Sequence, residues 1–306
     1  MEKTNNSPLR ISSLSQLHDL MQLPKPLHPL ISIVDNDKMT TVNSELLNKA
    51  FIFDFYKISY KYATHGKMGY GQGYYDFNEG GMMFTAPNQL LFADNVEAKY
   101  CGFTLLFHPD FIRNYPLGKN IRQYGFFSYD TNEALHLSET EKNTITGLLD
   151  SINNELHTTI DEISQDVIVS YMEVLLNYSN RFYKRQFITR KAVSNDILVK
   201  TEQILDHYFN QEETLKNGLP TVEFLAAEVN VSSHYLSDLL RNLTGQNAQQ
   251  LIHAKLIEKA KEYLMTTHLS VAEIAYQLGF EYPQSFSKLF KKKTNLTPLA
   301  FKNSLN

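Results

Sequence analysis

Gln284, Ser287, Lys288 and Lys291 stand three and four residues apart, interleaved with apolar Phe286, Leu289 and Phe290. A helix over this segment turns the two sets to opposite sides at about 100° per residue. The polar side carries an amide, a hydroxyl and ammonium groups but no carboxylate, which suits phosphate neutralisation and contact with base edges in a major groove. Tyr282 precedes this helix, and Lys292 and Lys293 extend its basic end. Fifty residues earlier the pattern recurs, with Leu236, Leu239 and Leu240 as the apolar stripe and His234, Ser237, Asp238 and Arg241 facing outward. The candidate contacts are therefore Ser233, His234, Ser237 and Arg241 in the first unit. In the second they are Tyr282, Gln284, Ser287, Lys288, Lys291 and Lys292. Asp238 departs from the pattern, because a carboxylate beside phosphates repels them unless Arg241 pairs with it.

Such helices read DNA only when another helix holds each of them, and the preceding residues supply one. Leu225-Ala226-Ala227-Glu228-Val229-Asn230-Val231 aligns with Ile274-Ala275-Tyr276-Gln277-Leu278-Gly279-Phe280 at a shift of 49. Each copy has a small alanine that permits close helix approach. Each then has a residue that accepts positive φ, Asn230 or Gly279, followed by an apolar plug. One such pattern is compatible with any helical bundle, but two copies with the turn residue in place specify paired helix-turn-helix units. The helix between them is expected from Ala248 to Thr266 and spans about 28 Å at 1.5 Å per residue, so two readers can reach successive major-groove turns roughly 34 Å apart.

At 306 residues the chain is expected to form two domains. The net charge of −4 hides an uneven distribution: from Arg181 onward there are 16 Lys+Arg against 12 Asp+Glu, leaving 13 and 21 of the chain's 29 and 33 for the rest. Upstream, Phe51 to Tyr62 is rich in aromatic and β-branched residues. Glycine-broken segments and a further apolar run from Lys99 to Phe107 follow, which together predict short strands in a barrel or sandwich. From Leu137 the period becomes helical. Ser138 and Glu141 are set as a capping box for a helix carrying Ile145, Leu148, Leu149, Ile152 and Leu156. A second stripe of Ile163, Val167, Tyr171, Leu175 and Tyr178 completes a hairpin. Leu149, Leu175 and Tyr178 are candidates for contact with a second copy of the chain.

Cys101 is the single cysteine and reads as a buried strand residue. No His-x-His occurs, and His65 and His108 stand alone, so neither a metal site nor a cofactor is expected. Tyr56, Tyr60 and Tyr62 share a strand face, with Tyr74 on the next strand. They are low-ranked candidates for an effector pocket, with burial in the core as the plainer account. No apolar run is long enough to cross a bilayer and the first ten residues are polar, so a cytoplasmic protein is expected.

The stretch Leu269 to Phe280, followed by Ser285 to Lys292 and closed by Leu296-Thr297-Pro298, resembles the signature of the AraC family over about a hundred residues. The resemblance implies a seven-helix DNA-binding domain in which Leu256 and Ala260 of the linking helix make packing contacts. It also implies, more loosely through Phe77, Gly81, Met83, Phe84 and Pro87, a cupin-like sensor. The expected fold is α+β: an N-terminal cupin-like β-barrel with a helical hairpin, then an all-α double helix-turn-helix domain. The expected boundaries are an arm over 1–30, a sensor and dimerisation domain over 31–185, a linker over 186–195 and the DNA-binding domain over 196–306. The implied function is a non-enzymatic, homodimeric transcription regulator of double-stranded DNA. A sugar-like or other small metabolite would control it, and RNA polymerase is a possible partner. A regulator governed by a protein partner, or a cupin enzyme with an accessory DNA-binding domain, are the alternatives.

Overall fold

The computed structural model describes residues 8–38, 50–65, 68–70, 73–75, 80–92, 99–130, 133–158, 161–211 and 213–304. It divides into two compact units, Met1–Gln186 and Phe187–Asn306.

The first unit runs β1 (Leu9–Ile11), α1 (Leu14–Leu20), β2 (Ile31–Asp35), β3 (Ala50–Phe53), β4 (Tyr56–His65), β5 (Met68–Tyr70), β6 (Gly73–Tyr75), β7 (Gly81–Thr85), β8 (Leu90–Phe92) and β9 (Lys99–Phe107). Two short helices follow, α2 (Pro109–Ile112) and α3 (Pro116–Asn120), then β10 (Leu135–His136), α4 (Glu139–His157) and α5 (Ser164–Thr189), which ends just past the unit boundary. Five strands in the order β10-β7-β4-β9-β2 form the main sheet, and β1-β3-β8 form a second one. Cross-strand register decides what each face of the main sheet does. Tyr56, Ile58 and Tyr60 of β4 lie opposite Phe107, Leu105 and Phe103 of β9. On that face Phe84 packs at 4.4 Å from Phe126 and 6.1 Å from Tyr183 of α5. The other face carries Lys57, Ser59 and Lys61 opposite Leu106, Thr104 and Gly102. There Leu106 and Val34 join Phe51 and Phe53 of the second sheet in one core. The main sheet is thus a middle layer, covered by helices on one face and by strands on the other, and the strand side encloses polar Ser59 and Thr104 beside its apolar residues.

Three expectations change. The segment expected as an N-terminal arm is built into this unit from Pro8 onward: β1 pairs parallel to β3, and Ile11, Leu14 and Leu17 are buried in the shared core. That pairing is non-local, so composition gives no sign of it. The apolar stripe of α5 is also rotated. Ile168, Met172, Leu175, Leu176 and Tyr183 are buried, while Ile163 is exposed and Val167 and Tyr171 are half-buried. Leu149 and Leu175, candidates for a partner helix, are buried within the unit, and Tyr178 packs against Phe182 at 5.6 Å. The capping box forms as expected, with Ser138 N–H donating to Glu141 at 2.9 Å.

The second unit comprises α6 (Lys191–Asn210), α7 (Glu213–Asn217), α8 (Val222–Glu228), α9 (Ser233–Thr244), α10 (Ala248–Thr266), α11 (Val271–Gln277), α12 (Pro283–Thr294) and α13 (Pro298–Asn303). The 186–195 stretch expected as an irregular linker is helical on both sides of one break at Arg190, where ψ is 39°. No proline or glycine occurs between Arg181 and Gln211, so nothing stops helix at that point except the local turn.

Candidate nucleic-acid interface

Two helix pairs, α8–α9 and α11–α12, repeat each other at the turn that joins their helices. In the first turn, Val231 N–H donates to Ala226 O at 3.0 Å; in the second, Phe280 N–H donates to Ala275 O, also at 3.0 Å. Asn230 and Gly279 adopt φ of 58° and 86°, the left-handed conformation that the sequence assigned to them. Ala226 and Ala275 are buried at the helix crossings, as are Leu236, Leu239 and Leu240 in one unit and Phe286 and Phe290 in the other, with Leu289 half-buried.

The repeat extends further than the turn. Thr244 and Thr294 each donate to the carbonyl four residues back at 2.8 Å and accept from the amide two residues on at 3.2 Å. Gly245 and Asn295, again fifty residues apart, end their helices at φ of 76° and 63°. The sequence signal was present as Thr-Gly and Thr-Asn after each apolar stripe, a left-handed helix stop. Between the units, α10 has the expected limits, with Leu256 and Ala260 fully buried.

This scaffold fixes what faces outward. On α12, Tyr282, Gln284, Lys288, Lys291 and Lys292 are exposed, and Ser287 is half-buried on the same side. On α9, His234 and Arg241 are exposed while Ser233 and Ser237 are half-buried. The two helices begin differently. Ser232 caps α9 by accepting from Tyr235 N–H at 3.2 Å, whereas Tyr282 offers no side-chain cap to α12, where Pro283 opens the first turn. They also differ in charge. Arg241 donates to Asp238 at 2.9 Å, so the first face is internally paired. The second keeps its lysines, and the burial of His253 on α10, with the charges of Lys293 and Lys292 close by, lowers that imidazole's pKa.

The family model described as a helix-turn-helix domain matches residues 225–304, which run from within α8 through α13 and so take in both helix pairs. The uncharacterised HTH-type transcriptional regulator in the cgkA 5′ region of Pseudoalteromonas carrageenovora is 35% identical over 85 residues, or 28% of this chain and 50% of that one. The C-terminal unit is an AraC-type helix-turn-helix domain. Histidine kinase P4 of Formosa agariphila is 26% identical over 140 residues, 45% of this chain and 10% of that protein. Among solved structures, the C-terminal domain of the two-component response regulator yesN from Fusobacterium nucleatum is 32% identical. That match covers 33% of this chain and 96% of the other, at a TM-score of 0.29. The chain spans between a tenth and a half of the length of the curated relatives it matches first.

Outside the AraC-type domain, two of the four tyrosines singled out as pocket candidates, Tyr56 and Tyr60, fall on the helix-covered face of the main sheet. Tyr56 stacks on Phe107 at 5.0 Å, and its burial raises the phenol pKa. Tyr60 is buried with its hydroxyl beside Gly80. Tyr62 lies in β4 and Tyr74 in β6, with side chains outside the described residues. His108 caps α2 by accepting from Asp110 N–H at 3.2 Å, and the side chain of His65 lies outside the described residues. Among the described residues no helix is long and apolar enough to cross a membrane.

Proposed function

We propose that this chain is a sequence-specific transcription regulator that grips double-stranded DNA with α9 and α12, and that a small molecule taken up by its β-rich unit controls it. The observation that carries the reading is the outward face of α12: an amide, a hydroxyl and three lysines on a helix whose other side is locked into the core by Phe286 and Phe290. Of the candidate contacts, Gln284, Lys288 and Lys291 of α12 and His234 and Ser237 of α9 reach base edges or phosphates. Tyr282, Ser287 and Lys292 flank the first set, and Ser233 and Arg241 the second. The β-rich unit acts as a sensor rather than an enzyme, the regulator works as a homodimer, and RNA polymerase is its partner at the promoter. The AraC-type domain and the names of relatives such as the xylose operon regulatory protein of Escherichia coli support this reading.

Selection from a pool of randomised duplexes tests it. The enriched sites are expected to be bipartite, with two short elements about one helical turn, 10–10.5 base pairs, apart. A pool that shows no enrichment, with binding governed by salt alone, overturns sequence-specific recognition.

A further inference from the structure

We propose, on the reading above that α12 contacts DNA, that Lys302 is the positioning residue for this second recognition helix. Its ammonium fastens α13 to the corner that leads into α11, and α13 in turn seats α12.

The internal repeat shows what α13 does. Asn247 and Thr297, fifty residues apart, each cap a helix, accepting from Gln250 N–H at 2.9 Å and from Ala300 N–H at 3.1 Å. The residues that follow them, Ala248 and Pro298, are both buried. The start of α10 therefore stands to α9 as α13 stands to α12, with Leu251 matching Phe301 and Ile252 matching Lys302. Ile252 is buried in the core, whereas its counterpart is a half-buried lysine with a different task. Lys302 Nζ donates to Leu269 O at 2.9 Å and to Thr267 O at 3.3 Å. Both carbonyls belong to the corner between α10 and α11: Thr267 is the extended residue that ends α10, and Leu269 directly precedes Ser270, the cap of α11. Carbonyls at a helix end lack partners within the helix, and a lysine supplies donors and a charge of the favourable sign.

One residue earlier, the Phe301 ring meets Phe290 of α12 edge-on with centroids 5.6 Å apart, and Lys261 of α10 lies 5.8 Å from the centre of the same ring. With six residues, α13 is too short to persist as a helix alone, so these contacts and the Lys302 hydrogen bonds hold it in place. Phe290 lies on the side of α12 opposite Lys288 and Lys291, and the seating of Phe301 against it sets how those lysines are presented. Groups that read a ligand have to be held to within about 0.5 Å, which surface helices achieve only through such supports. Lys302 thus acts through the corner and through Phe301, and touches no DNA itself.

Amide hydrogen exchange in the full chain without DNA gives the first test. Lys302→Met keeps the apolar stem and loses the donors. It is expected to speed exchange by about tenfold in the 267–270 corner, α11 and α12, and to leave α8 and α9 unchanged. Lys302→Arg, which still donates to two carbonyls, is expected to restore protection. On a duplex selected by the wild-type chain, the Met variant should bind about tenfold more weakly and lose the footprint of one element only. On a mixed-sequence duplex its slope of log K against log salt should be unchanged. Unchanged exchange, or unchanged affinity for the selected duplex, overturns the proposal. Exchange that is faster throughout the domain, or that Arg fails to restore, shows a role in overall stability and overturns it as well. A mixed-sequence slope lower by about one shows a direct phosphate contact and overturns it too. A wild-type pool with no enriched site overturns sequence-specific recognition instead, and the exchange pattern and mixed-sequence slope still decide what Lys302 does.

Discussion

Asp238 on α9 and Lys288 on α12 are equivalent positions with opposite charge, and their surroundings decide what each contributes. The Asp238–Arg241 pair is exposed, so it is worth about 0.5 kcal/mol and opens readily when phosphate approaches. Lys288→Ala is expected to weaken operator binding and, for a phosphate contact, to lower the slope of log K against log salt by about one. Asp238→Ala frees Arg241 and should leave affinity unchanged or raise it, chiefly on non-specific DNA. Fluorescence anisotropy over a salt series, on selected and scrambled duplexes, separates this from a cytosine-reading carboxylate, whose loss would reduce only the selected-site affinity. Lys61 supports a prediction of another kind. Its pKa falls from 10.5 to about 7 on folding, so between those values the unfolded chain holds a proton that the native one lacks, and stability rises with pH. Lys61→Met removes a penalty that is complete below pH 7. It should raise the melting temperature most at pH 6 to 7, with the gain fading toward pH 10.5; a gain independent of pH would show that packing, not charge, is responsible.

At the scale of elements, the helix-turn-helix pairs were legible because everything that makes them is local: an alanine, a left-handed residue, an apolar plug and a stripe, all within about twenty residues. The β-rich unit was less so. On β4, Tyr56, Ile58 and Tyr60 alternate with Lys57, Ser59 and Lys61, which reads as one solvated face, and only the tertiary structure shows that the second sheet covers that side. The buried polar residues Asn36, Ser59 and Thr104 are joined by hydrogen bonds that span 45 and 68 residues of sequence. The α5 stripe slipped for a related reason, since its length and apolar content admit more than one helical face. Gly279 shows the limit even within the legible part. The sequence assigned it positive φ, whereas the structure adds that a Cβ there would sit 2.8 Å from the backbone carbon of Gly218. Gly279→Ala should therefore cost at least about 2 kcal/mol, more than conformation alone requires. Asn230→Gly, at the equivalent turn, should change stability by only a few tenths of a kcal/mol. Denaturant titrations of the two variants check this, and equal effects would show that the Gly218 contact yields without cost.

At the scale of the whole molecule, the proposed regulator would combine one AraC-type domain with one β-rich unit. The α10 helix that joins the two helix-turn-helix pairs has 19 residues, about 28 Å at 1.5 Å per residue, a length of the order of the roughly 34 Å between successive major-groove turns. A homodimer adds a second domain, and its effect is arithmetical: the second binding event becomes intramolecular, and affinity on a duplex with two sites rises by 10²-fold or so without any new contact. Because Leu149 and Leu175 are consumed inside the first unit, the proposed dimer would have to form through other surfaces. The full chain and a fragment covering 187–306 should accordingly bind a one-site duplex within about threefold of each other. On a two-site duplex the full chain should be tighter by about a hundredfold, while the fragment should gain no more than the statistical factor of about two. Light scattering at tens of micromolar should show a dimer for the full chain and a monomer for the fragment. If the full chain is monomeric with and without DNA, and its two-site gain equals that of the fragment, the homodimer is wrong and the two recognition helices of a single domain account for all of the binding.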